Sequence, residues 1–166
     1  ALMSSGISLY AYHLPLDWHP EVGNNAVIAR MLGVCHTQEF CTYGGIKIGR
    51  CGRLEEPIEL SALAERVEGA LSTKCTVSGP ARSVSRIGIV SGGGASAIAD
   101  CAALDLDCLL TGEFAHQYVH DARELGVSVI AAGHYRTEVW GVQALMARVS
   151  EQLDAVCHFI DIPTGY

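Results

Sequence analysis

Arg86-Ile-Gly-Ile-Val-Ser-Gly-Gly-Gly94 opens a segment that runs through Cys108-Leu-Leu-Thr-Gly-Glu113 to Val127-Ser-Val-Ile-Ala-Ala-Gly-His134. Each of these pieces is a short apolar run followed by a glycine-bearing turn. Runs that are continuously apolar, rather than alternating, describe strands buried on both faces. Between them lie an alanine-rich helix to about Leu104 and a helix that puts Phe114, Tyr118, Ala122 and Leu125 on one side. A third helix after Gly133 carries Val139, Val142, Leu145, Met146 and Val149 as a stripe, and a last strand is expected at Val156–Ile162. This alternation predicts an α/β fold: a three-layer α/β/α arrangement around a mixed or mainly parallel sheet.

Working outward, the N-terminal half is less regular. Gly6 to Tyr12 alternates as a strand would, and His13-Leu-Pro-Leu-Asp17-Trp-His19-Pro20 then places two prolines within six residues. That spacing predicts a rigid extended loop. Gly23-Asn24-Asn25 offers a helix cap, and Gly33 closes the helix. Residues 39–52 suggest edge strands and turns, and Leu60, Leu63, Ala64, Val67 and Leu71 sit at helical spacing. Residues 73–85 form a weakly patterned connector, with a strand expected at Cys75–Val77. We expect one domain over residues 1–166, with sub-lobes of about 1–80 and 81–166.

The chain has 166 residues, 49% of them apolar and only 17% charged, which suits a packed core. Eleven Lys and Arg against eighteen Asp and Glu leave a net charge of −7, the wrong sign for a binder of nucleic-acid backbone. No apolar run approaches the roughly 20 residues of a membrane span, so no membrane partner is expected. Seven cysteines, an odd number without a C-x-x-C pair, read as small buried hydrophobes in a reducing cytosol, giving an expected cytoplasmic location. Ala1-Leu-Met-Ser-Ser-Gly6 reads as the tail of a helix entering a turn. The expectation is a chain lacking an N-terminal piece.

Three loops at strand ends carry chemistry, where α/β sheets gather their ligands. In Gly133-His134-Tyr-Arg-Thr137-Glu138, an imidazole and a carboxylate four residues apart would stack if the helix begins at or before His134. They would then meet one metal ion; the alternative is a capping carboxylate beside a half-exposed histidine. The proline-bracketed loop offers His13, Asp17 and His19 as ligands, or Asp17 as a plain turn-former. In Thr111-Gly-Glu113 with His116 and His120, the two histidines are again four apart and could pair on zinc; the favoured reading is that Glu113 and His120 orient a ligand or touch substrate, while His116 reads as solvated. Ser91-Gly-Gly-Gly94 is either an anion cradle or a tight turn needing positive φ; it is neither a Walker loop nor G-x-G-x-x-G.

Taken together, Leu9-Tyr-Ala-Tyr-His13-Leu-Pro-Leu-Asp17 through Asn25, Thr111-Gly-Glu113 with His120, and Gly133-His134-Tyr-Arg-Thr-Glu138 with Phe159-Ile-Asp-Ile-Pro-Thr-Gly165 resemble the NIF-three-like dinuclear metal proteins. Members are commonly called GTP cyclohydrolase 1 type 2 homologues. The resemblance covers nearly the whole chain. It implies toroidal hexamers with metal sites facing an internal cavity, and up to two divalent ions (zinc, manganese, iron or magnesium). It further implies Asp17, His134 and Glu138 as metal ligands, His13 lining the site, and His13, Glu113 or His120 as proton-handling catalytic groups. The family's His-His pair lies upstream of the HLPLD loop and has no counterpart in these residues, so three ligands of five are expected here. Two functions follow as expectations. One is a metal-dependent hydrolase acting on a nucleotide or phosphoester; the other is a non-catalytic, metal-binding, ring-forming scaffold for protein interaction.

Overall fold

A computed structural model describes residues 1–80 and 83–165. Two short helices, α1 (Leu14–Trp18) and α2 (Asn24–Met31), precede a long hairpin of β1 (Cys35–Tyr43) and β2 (Ile46–Glu59). Then come α3 (Leu60–Leu71), β3 (Thr76–Ser78), β4 (Ser83–Val90), α4 (Ile98–Ala103), β5 (Cys108–Thr111), α5 (Val119–Glu124), β6 (Ser128–Ala131) and α6 (His134–Leu153). The strands form one sheet in the order β1-β2-β4-β5-β6-β3. β4, β5 and β6 run parallel, while the other pairings are antiparallel. The sheet is therefore mixed, and the fold is α/β as the alternation requires.

Successive strand side chains point to opposite faces, so a wholly apolar strand feeds two cores. Ile87, Ile89, Cys108, Leu110 and Ile130 pack on one face against α2 and α3. Val90, Leu109 and Val129 pack on the other against Ile98, Cys101 and Ala122. α3 forms because Leu60, Leu63, Ala64, Val67 and Leu71 recur at three- and four-residue intervals, and all five are buried. The cysteines at 51, 101 and 108 are buried without disulfides, and burial pushes the Cys101 thiol far up. They act as small core residues.

Several local expectations are corrected. Residues 6–12 and Val156–Ile162 are not strands: Leu9 and Tyr10 are each 77% exposed and Val156 is 88% exposed. Both segments alternate or run apolar, but no described strand lies beside either, and without a neighbour there is no ladder to fix a strand. His13 to Pro20 is not extended throughout, because Pro15 falls in the first turn of α1, where a missing N–H costs nothing. Gly23, not an asparagine, caps α2, and the two asparagine side chains are used elsewhere. The helix expected from Phe114 begins only at Val119, after a 3-10 turn at His116–Tyr118, and Leu125 is exposed. On α6 the apolar stripe is only partly covered, with Val139 buried and Val142 exposed. Of the connector expected over 73–85, residues 81 and 82 lie outside the described residues.

No described helix is long and apolar enough to cross a membrane. Leu110 is fully buried on the central strand β5, so Leu110→Ala should cost about 2–5 kcal/mol. Urea unfolding of the two chains checks this.

Candidate functional site

The C-terminal end of β4, the start of α1 and the start of α6 meet at one cleft of about 420 Å³, lined by His13, Asp17, Ser91, His134 and Glu138 among others. Asn25, fully buried on α2, holds these elements in place. Its amide donates to the carbonyls of Ile48 on β2 (2.8 Å) and Asp17 on α1 (3.2 Å). Its Oδ1 accepts the Ser91 N–H at 2.8 Å. Asn24 ties in α6: its Oδ1 accepts the Gly141 N–H at 2.7 Å, and its Nδ2 donates to Asp17 Oδ1 at 2.9 Å. The hydroxyl of Ser91 donates to the same oxygen at 2.9 Å. Asp17 Oδ2 is left as the carboxylate oxygen without a described hydrogen bond, in a side chain that is 7% exposed and lines the cleft.

α6 begins at His134, so His134 and Glu138 do stack one turn apart, with Nε2 and Oε1 separated by 3.2 Å. On the other side of the ring, His134 Nδ1 lies 2.5 Å from Glu113 Oε1. A carboxylate can only accept, so Nδ1 carries the proton given to Glu113. In the neutral imidazole, Nε2 then turns a lone pair toward the Glu138 carboxylate. Two acceptors face each other, an arrangement that only a proton or a cation between them relieves. Burial pushes the Glu138 carboxyl above its ordinary range; His134 opposes that shift and the nearby Asp17 charge adds to it.

Gly92 faces the donor ends of this pair. Its φ is +62°, and an added Cβ would sit 2.3 Å from Glu138 Oε1 and 3.0 Å from His134 Nε2. The glycine turn resolves as a tight turn rather than an anion cradle. The N–H groups of Ser91, Gly92 and Gly94 are taken by Asn25, Thr137 and Thr111 respectively.

Of the residues singled out in the sequence, His13, Asp17, His134 and Glu138 share the cleft, and Glu113 braces His134 from outside it. His19 turns away: its Nδ1 accepts the N–H groups of Glu21 and Val22. His116 and His120 are exposed, and neither lines this cleft. Among the described residues, no group of three His, Cys, Asp or Glu side chains is drawn together closely enough to hold an ion. The donor pair nevertheless fits a cation, with the Gly92 cradle leaving space in front of Nε2 and Oε1 that a side chain would fill. Sequence reasoning missed Asn24, Asn25 and Ser91. Adjacent asparagines on an otherwise apolar helical face were the available signal.

The chain matches the family model described as Duf34/NIF3 (NGG1p interacting factor 3) over residues 1–164. A GTP cyclohydrolase 1 type 2 homolog of Deinococcus radiodurans is 47% identical over 98% of this chain and 62% of its own length. One from Pyrococcus horikoshii is 45% identical over 99% of this chain and 66% of its own. A solved structure titled protein ybgI, of unknown function, superposes with a TM-score of 0.87 at 38% identity, covering 98% of this chain and 65% of that one. The chain thus spans 62–66% of the length of these curated relatives.

Gly92→Ala should cost at least about 1–2 kcal/mol through the left-handed backbone alone. Gly93→Ala, whose methyl meets nothing within 4 Å, should stay within about 0.5 kcal/mol of the parent; parallel urea titrations compare them. A second prediction concerns pH. The folded state raises the Glu138 pKa from 4.5, so stability tied to its protonated form is intact below that value and is lost as pH rises through the raised one. In chelator-treated protein, Glu138→Gln should therefore gain stability relative to the parent as pH climbs from about 4 to 7, read from thermal midpoints at each pH.

Proposed function

We propose that this chain, which belongs to the Duf34/NIF3 family, holds a divalent metal at His134 and Glu138, with Asp17 facing them, and serves a metal-dependent hydrolase. The observation that carries this reading is the His134 ring itself. Its Nδ1 lies against the Glu113 carboxylate and its Nε2 against that of Glu138; with the Nδ1 proton given to Glu113, the neutral ring turns its Nε2 lone pair outward, the arrangement by which a metal-binding histidine is oriented.

A divalent cation there supplies positive charge against a developing oxyanion and makes water more acidic. The chain's own groups do the rest. Asn24 and Ser91 hold Asp17 Oδ1, so the carboxylate keeps one orientation with Oδ2 unoccupied by hydrogen bonds. Glu113 fixes the His134 tautomer. His13, at the start of α1 and on the cleft wall, is placed to take a proton from attacking water or return one to the leaving group at a ring nitrogen. The substrate class we infer is a nucleotide or another phosphoester, in keeping with the name of the relatives.

A second reading has its own observation. Ile7, Leu9, Tyr10, Ile160 and Ile162 are all more than half exposed, and such surface suits subunit contact. On that reading the chain builds a ring, a hexamer by family resemblance, and the metal is structural.

Elemental analysis with anomalous scattering should find zinc, manganese, iron or magnesium at His134 and Glu138. Glu113→Gln should weaken metal retention by about 10–100-fold. Turnover of a nucleoside triphosphate or a phosphoester should collapse for Asp17→Ala and Glu138→Gln. If those variants assemble normally and the parent turns over no substrate, the scaffold reading stands instead.

A further inference from the structure

Away from the cleft, β2 and β4 set two arginines side by side. Arg53 and Arg86 are register partners in the antiparallel pairing, so both side chains leave the same face of the sheet. Like charges placed directly opposite destabilise a sheet unless something neutralises them. Among the described residues neither guanidinium has an ion pair or a side-chain hydrogen bond, although the chain carries a net charge of −7. Asp107 lies beside Arg86, but its Oδ2 accepts backbone N–H groups of Ser85 and Arg86 and the Ser85 hydroxyl.

A pocket of about 370 Å³ opens at this pair. His36, Gln38, Cys51 and Leu106 share its wall with the two arginines, and no carboxylate lines it. β1 is irregular here: the pairing shifts between Cys35 and Gln38, and His36 has φ +51°. A left-handed non-glycine residue inside a strand is strained, and such strain gathers where it positions a functional group. The bulge puts the imidazole on the pocket wall. Below it, burial raises the Cys51 thiol pKa, opposed by a hydrogen bond from Gln38 and by the charge of Arg86. Arg86 and Cys51 line the pocket together.

From this juxtaposition we propose an oxyanion site, in which a tetrahedral anion of the phosphate class sits between Arg53 and Arg86 with His36 and Gln38 as further donors. Guanidinium forks match pairs of oxyanion oxygens, and a wall of donors without a carboxylate selects an anion over a cation. The volume exceeds a bare phosphate ion, so the same chemistry can arrive as inorganic phosphate or as the phosphate of a small ester. Arg86 precedes Ser91 by five residues of strand and loop, about 16 Å at strand rise. The site is thus separate from the cleft, and its test does not depend on the metal reading.

The 166-residue chain should be titrated with sodium phosphate at constant ionic strength, balanced with sodium chloride, and followed by amide NMR and thermal midpoint. Saturable shifts at residues 36–38, 51–53 and 86 are expected, with a rise in midpoint. Arg53→Gln and Arg86→Gln should each weaken phosphate binding by about tenfold or more. Without phosphate, Arg53→Gln should be no less stable than the parent, because the like-charge opposition is gone. Adenosine monophosphate separates the sources: tighter binding through the same arginines assigns a phosphoester, and equal or weaker binding assigns inorganic phosphate. Shifts that fail to saturate, that chloride reproduces, or that survive both substitutions would overturn the site.

Discussion

Asn25 is the constraint on which the cleft depends. A fully buried amide must find partners for its donors and its acceptor or lose more stability than it contributes. This one finds them on three different elements: α1 at Asp17, β2 at Ile48 and the end of β4 at Ser91. Its demand for partners thereby ties the proline-bracketed helix to the sheet. Asn24 extends the same logic to α6 by accepting the Gly141 N–H, close enough that a Cβ at 141 would lie 2.8 Å from its Oδ1. Arg50 adds a further tie, donating to the Trp18 carbonyl at 3.1 Å.

This arrangement explains how so short a helix as α1 can hold a carboxylate in the cleft. Five residues of helix have almost no intrinsic stability. α1 persists because its backbone and its aspartate are both bound by neighbours already fixed in the core. His134 and Glu138 need less help, since they start a twenty-residue helix directly after a central strand, and their relation is set by helical pitch. Gly92, having no Cβ, then keeps the space beside Nε2 and Oε1 clear.

The two ends of the sheet differ in character. Loops after the parallel strands converge on the imidazole and the carboxylates. Further back along β2 and β4, Arg53 and Arg86 face each other, and among the described residues neither has an ion pair. What sets the pair apart is that the two guanidinium-bearing strands place them directly opposite each other at one pocket.

What the sequence determined by itself was periodic and local. Apolar runs at 87–90, 108–111 and 127–132 specified buried parallel strands, and Leu60 to Leu71 specified an amphipathic helix, because burial on a sheet face or helix stripe leaves a regular spacing. The same holds for His134 and Glu138, whose stacking needs only a helix start. Alternation at 6–12 and 156–162 misled, because a strand exists only with a neighbour and alternation cannot reveal whether one is there. Only the tertiary structure decided that Pro15 lies in the first turn of a helix, that the asparagine pair knits four elements rather than capping one, that Glu113 rather than His120 braces His134, and that two arginines 33 positions apart in the chain oppose each other. These are contacts between residues distant in sequence, set by strand register and the packing of elements, and no local pattern encodes them.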